Sequence, residues 1–120
     1  MVVDPLHSAI AGIVAHAEKI AVAAHNIANV NTEGFKKSQA VIESDEAGQP
    51  DVKVTQSDTP GPMIPTPEGL PGSAEFVEMS NVNLAEEIVQ MQIAKHGYAA
   101  SVSIISAQDQ MIGTILDIIV

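Results

Sequence analysis

His25-Asn26-Ile27-Ala28-Asn29-Val30-Asn31-Thr32-Glu33-Gly34-Phe35-Lys36-Lys37 closes one long apolar repeat, and Ser80-Asn81-Val82-Asn83-Leu84-Ala85-Glu86-Glu87 opens another. Upstream of the first stretch, Leu6, Ile10, Ile13, Ala17, Ile20, Ala24 and Ile27 alternate spacings of four and three. That is a heptad stripe, which keeps facing one partner as helices pack. Asp4 predicts an N-cap with Pro5 at the first helical position. Asn29, Asn31, Thr32 and Gly34 predict the stop, because short polar side chains compete for backbone hydrogen bonds and Gly accepts positive φ. Phe35, one of only two Phe residues, is expected to anchor the turn.

Downstream, Leu84, Ile88, Met91, Lys95, Tyr98, Val102, Ile105, Asp109, Ile112, Leu116 and Ile119 repeat the same spacing without a Pro. Asn83 is placed to cap this helix, with Glu86 at the capping-box position. A helix over 84–119 would be about 54 Å long. Lys95 and Asp109 interrupt its stripe. Two readings stand: they set register between helices, or the stripe drifts and both reach solvent. A narrow stripe needs a partner, and each helix is the only long one available to the other. The expected fold is therefore mainly α. The N- and C-terminal helices pair as an antiparallel, coiled-coil-like hairpin, and a short β or irregular Pro-rich segment joins them. In that pairing Leu6, Ile10, Ile13, Ile20 and Ile27 meet Leu84, Ile88, Met91, Tyr98, Val102 and Ile105. The end formed by Ile112, Ile115, Leu116, Ile118, Ile119 and Val120 wraps too much of its helix for one partner. It is expected to bind other subunits.

The division predicted is 1–35 for the first helix and its turn, 36–79 for the middle and 80–120 for the last helix. Residues 38–83 hold eight of the fifteen acids and a single Lys. Gln39–Ile42 and Val52–Thr55 read as two short strands around the turn-rich 44–50. Pro60, Pro62, Pro65, Pro67 and Pro71 then alternate with Gly61, Gly69 and Gly72. Pro fixes φ and lacks a donor, which predicts an extended or irregular chain.

Composition narrows function. The chain has 120 residues, a net charge of -10 and only Lys as cations, a surface that disfavours nucleic acid. It is 46% hydrophobic but 2% aromatic, which suits helix seams better than a large globular core. No apolar run reaches the length of a membrane span, and the N-terminus lacks the features of a secretory signal. The absence of Cys excludes disulfides and thiol chemistry. His7, His16 and His25 stand nine residues apart, so His16 faces away from the other two and no helical metal spacing exists. They read as ordinary surface histidines. Glu86 and Glu87 are adjacent, hence on different helical faces, and suit the dipole of a first turn. There is no nucleophile motif and no phosphate-binding loop. The expectation is a protein without catalytic residues, cofactor or metal.

The two quoted stretches resemble the bacterial flagellar axial proteins, the family that forms rod and hook. His25 to Thr32 followed by Gly34-Phe35-Lys36 is similar to the family's signature after its first helix, with Asn29, Asn31, Thr32, Gly34 and Phe35 as turn residues. Ser80 to Glu87 is similar to the start of its last helix. Tyr98, Ala100 and Met111 also fit the pattern. Where the family often has Gln-Arg-Ala-Tyr-x-Ala-Asn, this chain has Lys95-His96-Gly97-Tyr98-Ala99-Ala100-Ser101. The short middle is most like that of the small proximal-rod members. The resemblance implies a structural subunit of the basal-body rod that associates with itself and with other axial subunits into a helical tube. Ile112, Ile115, Leu116 and Ile119 then lie between subunits. It also implies passage through the flagellar export apparatus without a cleaved signal, and a place in the periplasm-spanning rod. The alternative is a standalone helical coiled-coil module forming a small closed oligomer.

Overall fold

The computed structural model describes residues 5–66 and 75–119, with the Ile119 side chain left aside. Asp4, Pro67, Gly69, Pro71, Gly72, the Ile119 side chain and Val120 lie outside this description. The order is α1 (Pro5–Ala28), β1 (Ser38–Ser44), β2 (Pro50–Gln56), β3 (Met63–Pro65), β4 (Phe76–Glu78) and α2 (Leu84–Ile119). The chain is mainly helical, with two short antiparallel strand pairs.

Local chemistry sets each boundary. Pro5 opens α1, where its missing N–H costs nothing. Asn29 ends it: its Nδ2 donates to the His25 carbonyl at 2.9 Å, and Thr32 Oγ1 donates to Asn29 Oδ1 at 3.1 Å. Gly34 then reverses the chain at φ 65°. Asn83 caps α2 by accepting from Ala85 N at 3.1 Å and Glu86 N at 3.5 Å. The β1–β2 turn is built on Asp45, whose Oδ1 accepts from Ala47 N and Gln49 N, both at 2.8 Å. Its register runs from Ser38 opposite Gln56 to Ser44 opposite Pro50, so both strands are longer than the alternation predicted. Part of the Pro-rich stretch is ordered as β3, paired with β4 from Met63–Glu78 to Pro65–Phe76.

The helices lie side by side and run in opposite directions. Asn26 meets Glu87. A Cβ on Gly12 would lie 2.9 Å from Ser101 Oγ, and one on Gly97 would strike the His16 ring. His16 is thus half-buried against α2, whereas His7 and His25 are exposed as expected of surface histidines. Its ring needs the flat surface that only Gly97 offers.

The buried line of each helix differs from the line of large apolar residues. On α1 the buried residues are Ala9, Gly12, Ala15, Ala23 and Asn26. On α2 they are Glu87, Ala94 and Ser101. Nearly all stand one residue before a position of the heptad stripe. Of the residues expected to pair the helices, Leu6, Ile13, Ile20, Ile27, Met91 and Ile105 are half-buried, and Ile10, Leu84, Ile88, Tyr98 and Val102 are exposed. The physical reason is size. Ala, Gly and Ser let the backbones approach closely, and a row of Ile between them would hold them apart. The whole measures 87 × 25 × 14 Å. α2, 36 residues and about 54 Å long, supplies most but not all of the long dimension. With Gly12 opposite Ser101, α1 begins near Gln108, so the last turns of α2 extend about 16 Å beyond it.

Candidate functional site

Two regions carry the arrangement. The first is a polar knot where the turn after α1 meets the start of α2. Asn26 is fully buried. Its Nδ2 donates to the Ser38 carbonyl at 2.6 Å and to Glu87 Oε2 at 3.1 Å, while its Oδ1 accepts from Ser38 N at 2.9 Å. One amide side chain thus satisfies both backbone groups of Ser38, as a neighbouring strand would. Asn81 acts likewise from the other side. Its Oδ1 accepts from Lys37 N at 2.6 Å, and its Nδ2 donates to the Thr59 carbonyl at 2.8 Å. Gly34 N donates to the Glu78 carbonyl at 2.8 Å, and Asn81 N to the Phe35 carbonyl at 3.3 Å.

Two lysines close the knot. Lys36 pairs with Glu78, whose Oε1 also accepts from Gly61 N at 2.7 Å. The Lys36 bond first, and the Gly61 N–H second, hold the Glu78 carboxyl below its usual range. Lys37 pairs with Glu86 at 3.0 Å. Gly61 has no room for a side chain, since a Cβ would overlap the Met79 carbonyl. Phe35 is half-buried, with its ring edge-to-face against His25 at 5.5 Å. The signature residues Asn29, Asn31, Thr32, Gly34 and Phe35 therefore form or flank this turn, although Asn31, Thr32 and Gly34 themselves stay exposed. Asn26 stands out in the sequence only as part of the signature stretch, and Glu87, expected to serve the helix dipole, is instead a buried acceptor for Asn26. Their signal was a polar residue recurring on the small-residue line of each helix.

The second region is an apolar face. Because the helices run in opposite directions, a one-residue offset from the buried line carries both heptad stripes to the same side of the pair. The opposite shoulder of α1 is where the strands pack: Ala11, Val14 and Glu18 neighbour Pro50, Asp51 and Val52. Beyond α1, Ile112, Ile115, Leu116 and Ile118 are all exposed. A groove of about 370 Å³ runs between β1, Val22 of α1 and Gln90 of α2. Of its polar groups, Lys37 is paired with Glu86 and Glu87 accepts from Asn26. Among the described residues, no three His, Cys, Asp or Glu side chains gather as a metal-binding set. Nor is any described helix long and apolar enough to cross a membrane.

The two regions together make a slim helix pair, tied at one end by the Asn26–Glu87 bond and with both heptad stripes along one side. The model for "Flagella basal body rod protein" matches residues 6–36, and that for "Flagellar basal body rod FlgEFG protein C-terminal" matches residues 73–118. The chain belongs to the flagellar basal-body rod protein family. No curated protein sequence matches it.

Proposed function

We infer that the chain is a structural subunit of the flagellar basal-body rod that associates with itself and with other axial subunits into a helical tube. One observation carries this reading. The chain seals its own helices with small residues, leaves Ile10, Leu84, Ile88, Tyr98 and Val102 exposed, and covers Leu6, Ile13, Ile20, Ile27, Met91 and Ile105 only in part. A protein that folds to act alone buries those first, because each Ile, Leu or Val brought out of water contributes about 1.5–3 kcal/mol. In this reading 1–35 and 80–120 form a coiled-coil-like core hairpin, and 36–79 is a small appendage on it. Ile112, Ile115 and Leu116 lie between subunits. Delivery runs through the flagellar export apparatus.

Deleting the chain from its native host and imaging purified basal bodies tests the reading. The expected result is loss of the rod, restored by the wild-type chain. Intact rods and normal motility in the deletion strain would overturn it. A full-length chain that forms only a small closed oligomer, even with rod subunits added, would favour the helical-module alternative.

A further inference from the structure

Charge interrupts the α2 stripe at two positions. Lys95 and Asp109 lie in the α2 stripe, carry opposite charges and are both exposed. Neither takes part in an ion pair among the described residues, whereas Lys36 and Lys37 do. Their separation is 14 residues, two heptads, or about 21 Å along the helix. A whole number of heptads returns a stripe to its own register, so both charges occupy the same kind of heptad position.

We propose that α2 of one copy packs on α2 of a second copy pointing the same way and displaced by two heptads, so that Lys95 of one meets Asp109 of the other. The contact rests on the rod-subunit reading, because it takes a second copy of the chain as the partner. Charge complementarity selects the displacement. With no displacement, parallel copies set Lys95 against Lys95 and Asp109 against Asp109. With two heptads, Ile88 meets Val102 and Val102 meets Leu116, apolar against apolar throughout. Direction follows from heptad geometry. Parallel helices layer like positions against like, and antiparallel helices layer unlike positions. Two charges at the same heptad position therefore pair cleanly only in the parallel case. The displacement also covers the extension of α2: residues past 108, which have no α1 beside them, lie against the middle of the neighbouring α2. Such a contact is heterologous. Each copy keeps one unused Lys95 or Asp109, so the contact repeats rather than closing on a pair.

Sedimentation of the full chain over a concentration series tests the charges. Lys95→Asp and Asp109→Lys alone should each weaken self-association by about tenfold or more, since like charges then face each other. The double exchange, or an equimolar mixture of the two single variants, should restore it. Circular dichroism checks that helix content holds. Direction is read by oxidative cross-linking, since the chain has no Cys of its own. Ile88→Cys mixed with Val102→Cys should cross-link, and Ile88→Cys mixed with Leu116→Cys should not. The reverse pattern would overturn the parallel contact. So would single reversals that leave association unchanged, or a wild-type chain that remains monomeric. The rod reading fails separately, if deletion leaves rods intact. Charge variants that associate normally while the deletion abolishes rods would sink this contact alone.

Discussion

Asn26 shows how one side chain can hold two elements. It is buried, it replaces a strand for Ser38, and it supplies the hydrogen bond to the Glu87 carboxyl. Asn26→Leu keeps the volume but strands a backbone N–H, a carbonyl and a buried carboxyl. Each unsatisfied group costs about 1–3 kcal/mol, so the loss should be at least about 3 kcal/mol by urea denaturation. Gly34 is a different case. Its φ of 65° suits Gly, and no atom lies within 4 Å of where a Cβ would sit. Gly34→Val should therefore cost about 1–2 kcal/mol through backbone conformation alone. Glu33→Ala, at an exposed position, should fall within about 0.5 kcal/mol of wild type. Equal tolerance of the two in thermal melts would contradict the argument. The turn residues were legible because Asn, Thr and Gly declare themselves locally. Asn26 was not, since its partners lie 12 and 61 residues away, and one Asn inside a helix has no local signature.

Among elements, the small-residue line decides how the helices fit. Gly97 lies under the His16 ring. Gly97→Ala should push that ring out and cost about 1–3 kcal/mol as overpacking does. Gly97→Ala combined with His16→Ala should recover part of it, which a double-mutant cycle measures. The strand segment depends on an ion pair. Lys36 and Gly61 hold the Glu78 carboxyl below its ordinary range, so its proton binds the unfolded chain more tightly than the folded one. The contribution is thus present above the ordinary carboxylate range and fades as pH falls through the lowered value. Urea midpoints of wild type and Glu78→Gln should differ at neutral pH and converge in strong acid. The bounds of α1 and α2, and the existence of β1 and β2, were readable from heptads, caps and turn residues. The rotation of the buried line by one residue was not. Periodicity scores the largest apolar side chains, and Ala, Gly and Ser are silent in it although they allow the closest approach. The pairing of Met63–Pro65 with Phe76–Glu78 was also hidden, because three-residue strands among prolines leave no alternation to detect.

At the scale of the whole molecule, the 36-residue α2 outruns its 24-residue partner. Removing 115–120 should leave the seam at Ala94 and Ser101 untouched. Self-association measured by sedimentation should fall well before helix content does, because each exposed Ile or Leu withheld from a neighbour forfeits about 1.5–3 kcal/mol. An association constant unchanged by the truncation would place the contact elsewhere. The heptad stripes made the apolar face legible as residues. They did not reveal that both stripes turn to one side, since that depends on the direction of the second helix relative to the first.

The position of the knot has a mechanical consequence. α1 begins and α2 ends at the same end of the pair, and the Asn26 tie sits at the opposite end. Tension applied between those two ends peels the helices apart from the open end, heptad by heptad. Each step releases one heptad's contacts at a time, mostly small residues with the His16 ring on Gly97 among them. Twist or thrust shared along the full length loads the seam in shear instead, where all heptads resist together. The subunit is thus weak to unzipping and stiff to torque, and a neighbour laid over the open end removes the one direction in which it yields easily.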